Sequence, residues 1–297
     1  MIFAMIWFII TAHMSVRVVT DSTSGLSAEL SKKFNITILP YYVISDHQSF
    51  IEDEKFDRIR YYRALSQQDD LPTTSHPGLK DIVEIYKKLL LQSNEPIMHL
   101  TISSKHTTTY ELALQAKEQF SQAKIEVYDT KAATAHQALI ALEAARLANS
   151  GTDVEGIVSF LEKNKGRISE VMVLNTLKYL AKGGRIQRAQ YLLGSLLSTK
   201  PLIGYHSEGE TMGFGRVRTH RAGLDFIIDK IKSDFARFGG IKLRAIIEDA
   251  DNKQQADAAE EALRRNFNCE EIYRITMSVV SGTHLGPGAW GISYFVL

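Results

Sequence analysis

Short apolar runs alternate along the first half of the chain with stretches whose apolar positions recur at helical spacing. Residues 16–20 read as a buried strand and 26–34 as a helix. Residues 36–44 are strand-like, with Pro40 marking an edge or a break. Residues 53–65 make a polar-faced helix and 77–91 a second one, where Ser75 is placed to cap and Pro77 is tolerated in the first turn. A strand over 97–102 leads to a helix over 109–123, and Thr108 with Glu111 has the spacing of a capping box. A strand over 125–128 precedes an alanine-rich helix over 132–148, stopped at Ser150-Gly151. This βα alternation predicts a mostly parallel sheet covered by helices.

A helix over 153–163 and a turn at Gly166 close that half. Beyond it the pattern predicts a strand at 171–174 and a helix over 176–197 broken at Gly183-Gly184. Residues 201–205 and 211–218 form a hairpin around Ser207-Glu208-Gly209. A helix over 224–235, a strand over 241–248 and a helix over 256–266 follow. Strands at 271–279 and 290–296 then flank a glycine-rich loop. A chain of 297 residues exceeds the usual span of one core. The expected fold class is α/β with two α/β domains and a ligand cleft between them. Residues 15–165 form the first, with a mostly parallel sheet and hydroxyl-rich loops; residues 166–297 form the second, with a mixed sheet.

Composition adds mainly exclusions. A net charge of +1 gives no global field to attract nucleic acid or an anionic membrane. The single cysteine, Cys269, has no intramolecular disulfide partner, which fits a reducing cytoplasm. Residues 1–10 are apolar and uncharged, too short to span a bilayer and without the basic start of a signal peptide. Residues 1–14 are therefore expected to be an extension ahead of the first strand, with no stable membrane insertion; a weak membrane anchor is the alternative.

Three apolar runs end in knots of hydroxyl residues: Asp21-Ser22-Thr23-Ser24-Gly25, Pro72-Thr73-Thr74-Ser75-His76-Pro77, and Ser103-Ser104-Lys105-His106-Thr107-Thr108-Thr109-Tyr110. Any one of them caps a helix adequately. Three at the strand-to-helix junctions of one sheet edge would offer hydroxyls and free helix N–H groups to a small anion. A fourth segment, Gly282-Thr283-His284-Leu285-Gly286-Pro287-Gly288, carries an imidazole donor where glycines permit close backbone approach. No metal-ligand spacing, nucleophile elbow or phosphate-loop lysine accompanies these motifs. The chemistry points to binding more than to catalysis, with no catalytic residue, metal or cofactor expected.

Taken in order, these motifs resemble the DegV family of bacterial fatty-acid-binding proteins. The resemblance also rests on Leu180-Ala181-Lys182-Gly183-Gly184-Arg185-Ile186 and Lys200-Pro201-Leu202-Ile203, and it runs from about residue 16 to the C-terminus. It implies a cytoplasmic, two-domain protein holding one long-chain fatty acid between its domains. The implied ligand-binding set is Thr74, Ser75, Ser103, Ser104, Thr107, Thr108, His284 and Gly286. The resemblance further implies a separate ATP-dependent fatty acid kinase as partner, met through Arg185. That kinase would make an acyl phosphate for phospholipid synthesis.

The third loop departs from the family's usual Ser-Ser-x-Leu-Ser-Gly-Thr-Tyr, with His106, Thr107 and Thr108 in place of Leu, Ser and Gly. If position 108 needs a positive φ, threonine there costs roughly 1–2 kcal/mol. His106 and His76 are expected to add positive charge beside the head group. The alternative function is an enzyme acting on a small anionic metabolite in the same cleft, with His284 or His106 as acid/base.

Overall fold

The computed structural model describes residues 16–46, 48–68, 70–193 and 199–297. The expectations for residues 1–14 lie outside them. The first sheet has four parallel strands in the order Ile36–Leu39, Arg17–Asp21, Ile97–Thr101, Ile125–Asp129. Its strands are apolar on both faces because both are covered. Val19 and Ile97 face the helices Leu79–Gln92 and Thr109–Glu118 through Ile82, Tyr86 and Ala113. Val18 and Met98 face the helix Thr134–Asn149.

The second sheet has six strands in the order Thr211–Val217, Lys200–Tyr205, Ile168–Val173, Trp290–Val296, Leu243–Asp249, Cys269–Thr276. Only the last pair is parallel. The helices His220–Phe238 and Lys253–Asn266 cover its outer face over Val171, Trp290 and Ile292. Its inner face, with Ile168, Ile246 and Phe295, meets the same Thr134–Asn149 helix that backs the first sheet. The expected α/β architecture, one parallel sheet and one mixed, is the observed one.

The shared helix explains its own composition. Buried between two sheets, it has no solvated stripe along most of its length, so the usual amphipathic pattern is absent. Ala135, Ala138, Ala141, Ala144, Ala145 and Ala148 are all essentially inaccessible. Methyl side chains let both sheets approach its backbone closely.

Several expected elements differ. Residues 36–44 do not form one strand: the chain breaks at Pro40, and Tyr42–Ser45 joins a separate antiparallel sheet with Gln48–Ile51 and Thr73–Ser75. Thr74 is therefore a strand residue of that small sheet, so the three hydroxyl knots do not share one sheet edge. Ser75 does not cap the following helix; Gly78 is its N-cap, and the Asp81 carboxylate accepts from the Gly78 N–H at 2.8 Å. Thr108 occupies an N-cap position without a side-chain capping bond. The expected helix over 176–197 shrinks to Lys178–Lys182 and a 3-10 turn at Gln190–Leu192; residues 194–198 lie outside the described set. The strand expected at 271–279 stops at Thr276, and the glycine-rich segment opens as a helix, Val279–Leu285.

The packing of the shared helix sets a test. Ala141→Leu adds three carbons where no space exists and should destabilise the fold by about 1–3 kcal/mol, read as a lower urea midpoint.

Candidate functional site

Val279–Leu285 is only seven residues long, and an isolated helix of that length is unstable. Its surroundings hold it. The Glu52 carboxylate accepts from Ser278 Oγ at 2.6 Å and from the Val279 N–H at 2.8 Å, occupying the helix N-terminus. Arg58 neutralises Glu52 at 3.1 Å and donates to the Gly25 and Thr276 carbonyls. The Tyr62 hydroxyl lies 2.8 Å from the Met277 and Ser278 carbonyls. Its ring lies where a Cβ on Gly282 would be. Gly286, with φ +86°, ends the helix in a conformation that favours glycine, and a Cβ there would strike the Tyr179 ring.

This support places His284 in the last helical turn. Its Nε2 sits 2.9 Å from Thr74 Oγ1 of the small sheet. Its Nδ1 is buried without a hydrogen-bond partner, on the side that a Cβ on Gly183 would fill.

The pair stands in the wall of a cavity between the two large sheets. Thr23, Ile102, His106 and Thr107 come from the ends of the parallel strands, and Ala133 and Thr134 from the start of the shared helix. Ile203, Tyr205 and Thr211 come from the hairpin of the mixed sheet. Leu180, Arg185, Val280 and Leu285 complete much of the remainder. The space between these walls is about 650 Å³, its solvent-open part included. The cavity is a narrow slot, with hydroxyls and imidazoles set among aliphatic side chains.

Of the expected ligand-binding residues, Thr74, Thr107 and His284 stand in this wall. The others do not line it, and Thr108 is exposed. Ser103 Oγ donates to the Gly209 carbonyl at 2.8 Å, and Ser104 Oγ to the Asp129 carboxylate at 2.6 Å. Ser75 Oγ is 3.3 Å from the His76 carbonyl, and Thr108 Oγ1 is 3.2 Å from His76 Nε2. Arg185 also lines the cavity, and its guanidinium donates to the Gly183 carbonyl at 2.6 Å.

Sequence reasoning overlooked Tyr41, Thr134 and Tyr205. Tyr41 follows Pro40, and its hydroxyl meets Thr109 Oγ1 at 2.5 Å. Thr134 has φ +58°, unusual for a β-branched residue, and its Oγ1 donates to the buried Glu170 carboxylate at 2.7 Å. No sequence pattern marks any of the three positions.

The model of the DegV family, described as an uncharacterised protein family, matches residues 15–297. The chain belongs to the DegV family. The Protein DegV of Bacillus subtilis is 28% identical over 282 residues, 95% of this chain and 99% of that protein. A DegV-family protein of Thermus thermophilus, described as binding fatty acid, has a similar solved structure: TM-score 0.88, 27% identity, 96% of this chain and 100% of the other. A DegV lipid-binding protein of Thermotoga maritima gives a TM-score of 0.87 at 26% identity, covering 96% and 99% of the two chains.

Against the DegV loop pattern, Thr108 carries no strain, because its φ is −88°. The expected positive charge on His106 is not found. Burial, aided by the Arg185 cation, pushes the ring down to about 4. His284 goes down to about 3 for the same reasons in the same order, with His106 contributing least. Both rings are neutral at neutral pH, and the permanent cation in the wall is Arg185. Beneath Thr134, Glu170 and Glu248 are fully buried side by side. Burial raises both, and the charge of Glu248 raises Glu170 further, so the pair retains a proton. Among the described residues, no group of three His, Cys, Asp or Glu side chains could hold a metal ion.

The depressed His284 value fixes a sign. Unfolding frees the ring to bind a proton, so the stability held by the neutral ring is complete above its ordinary value of 6.5 and falls as pH drops toward about 3. From pH 7 to pH 5, wild type should lose about 1–2 kcal/mol more stability than His284→Asn, measured by urea unfolding at each pH.

Proposed function

We propose that this chain binds a long-chain fatty acid in the cavity and presents its carboxylate to a separate ATP-dependent fatty acid kinase, without catalysing the reaction itself. The observation that carries the reading is the Thr74–His284 pair, 2.9 Å apart, in the wall of a narrow and partly aliphatic slot. A carboxylate taken out of water needs donors in place of its hydration. With His284 Nε2–H donating to Thr74 Oγ1, the Thr74 hydroxyl is left to donate, and Thr107 and the Arg185 guanidinium add to it, while Ile102, Leu180, Ile203, Val280 and Leu285 supply apolar wall. Each buried methylene adds ~0.8 kcal/mol, so a tail of about a dozen gains on the order of 10 kcal/mol before ordering costs.

The similar proteins of Thermus thermophilus and Bacillus subtilis, each described as binding fatty acid, support the same ligand. On this reading the domains divide at about residues 165 and 166, and the acid lies between them. Ser75, Ser103, Ser104, Thr108 and Gly286 support the head-group site without lining it, and Arg185 lies where a kinase would meet the carboxylate. A cytoplasmic setting fits, and no helix among the described residues is long and apolar enough to cross a membrane. The low basicity of His284 and His106 speaks against the enzyme alternative, since an acid/base group works best with its pKa near the working pH.

Lipid extraction and mass spectrometry of the purified chain should yield a long-chain fatty acid. Protein that emerges empty and takes up none on addition contradicts the reading. Thr74→Ala leaves His284 Nε2 without its partner and should weaken fatty-acid binding about five- to tenfold, or about 1–1.4 kcal/mol. Unchanged affinity, together with unchanged acyl-phosphate formation with the kinase, would remove Thr74 from the head-group site.

A further inference from the structure

His106 brings to the cavity wall a polar atom that an unsubstituted acyl chain leaves unanswered. His106 sits in the turn after the strand Ile97–Thr101, its N–H donating to the Ser103 carbonyl at 2.9 Å. Its ring stands edge-on to Tyr205, with centroids 5.7 Å apart and planes at 89°. Part of the residue reaches solvent, but Nε2 is buried and has no hydrogen-bond partner. Neighbouring polar groups are already engaged. Thr107 Oγ1 is 3.3 Å from Thr109 Oγ1, and the Tyr205 hydroxyl is 3.3 Å from Thr134 Oγ1. His76 uses both ring nitrogens, toward the Pro77 carbonyl and Thr108. The other orphan nitrogen of the wall, His284 Nδ1, belongs to the head-group pair.

A buried nitrogen without a partner is costly to any complex that leaves it so. Against a methylene it stays unpaired. Against a hydroxyl it is satisfied in either tautomer, because a hydroxyl both donates and accepts. A keto oxygen would serve only the tautomer protonated at Nε2. His106 is the chain neighbour of Thr107 and shares the cavity wall with Thr107, Arg185 and His284, so the complementary hydroxyl lies near the carboxylate end of the ligand.

We infer that the preferred ligand of this cavity is a hydroxylated acyl chain, with a hydroxyl on one of the carbons next to the carboxyl group held by His106 Nε2. The inference rests on the fatty-acid reading above and makes His106 a specificity-determining residue. Sites built to hydrogen-bond a substrate hydroxyl reject the analogue that lacks it far more strongly than apolar pockets reject an added one.

The test uses the delipidated full chain and three probes: hexadecanoic, 2-hydroxyhexadecanoic and 3-hydroxyhexadecanoic acid, each titrated by displacement of a fluorescent fatty acid. One hydroxy acid should bind about fivefold or more tightly than hexadecanoic acid. His106→Leu should abolish that preference while holding hexadecanoic acid at least as well as wild type does. His106→Asn, which keeps a hydrogen-bonding group, should restore part of the preference. Equal binding of all three acids by wild type overturns the inference, as does a preference that survives His106→Leu. An equal loss of all three acids in His106→Leu also overturns it, by assigning the ring to the head group or the fold. Binding of none of the three to wild type overturns the fatty-acid reading itself, a result distinct from binding without preference.

Discussion

The burial of one helix between two sheets is the constraint from which the site follows. Thr134–Asn149 has to satisfy its first N–H groups in a region closed to water. It does so with carboxyl groups from the mixed sheet: the Ala135 N–H donates to Glu248 at 3.3 Å and the His136 N–H to Glu170 at 3.0 Å. Glu170 lies on Ile168–Val173 and Glu248 on Leu243–Asp249, two strands separated by Trp290–Val296. Their meeting ties the helix end to both strands at once. Two ionised carboxylates there would repel each other, so a retained proton is a condition of the arrangement. The cavity opens directly above, floored by Ala133 and Thr134.

The same device recurs at the second helix facing the cavity, where Glu52 takes the N-terminus of Val279–Leu285 and Arg58 neutralises Glu52. Both of these helix ends are therefore occupied by the protein's own carboxyl groups, whereas Thr109–Glu118, which begins beside Thr107, has no side-chain cap. The wall's side-chain chemistry includes threonine hydroxyls, two neutral imidazoles and one guanidinium. Several members of the hydroxyl knots bond within the protein. Asp21 accepts from Thr23, the Ile102 N–H and Gln137, joining the first sheet to the shared helix. Ser103 and Ser104 bind Gly209 and Asp129, leaving Thr107 as the hydroxyl of its knot that lines the cavity beside His106.

How much could be read beforehand follows from how local each cause is. The parallel sheet was legible because strands buried on both faces are written as continuous apolar runs. The shared helix was legible as a helix, while its place between two sheets was not, since alanine content does not say what lies on either side. The strand Thr73–Ser75 is three residues of Thr-Thr-Ser, too short and too polar to carry a period. The segment from Gly282 looked like a loop because glycine weakens helices. It is helical because Tyr62 fills the missing side chain's space and Ser278 caps the N-terminus, the first of which is a tertiary fact. His284 and Thr74 could be named from their motifs, but their contact is 210 residues apart in sequence. The neutrality of His106 depends on burial that no local pattern records.

That neutrality bears on what the proposed function needs. A carboxylate that is to attack a phosphoryl group has to keep its electron density. Surrounded by several fixed cations it would be bound tightly but would lose basicity, as charged neighbours lower carboxyl pKa values. Neutral hydroxyls, with the His284 ring holding Thr74 in place, orient the group through hydrogen bonds while withdrawing less charge. Burial supplies that neutrality, since at an exposed position His284 and His106 would both carry part of a positive charge near neutral pH. Arg185 then stands as a single full charge at the wall, enough to favour the ionised acid. On the proposed function, the polar wall would hold a carboxylate by direction more than by charge, the state in which a partner enzyme would find it reactive.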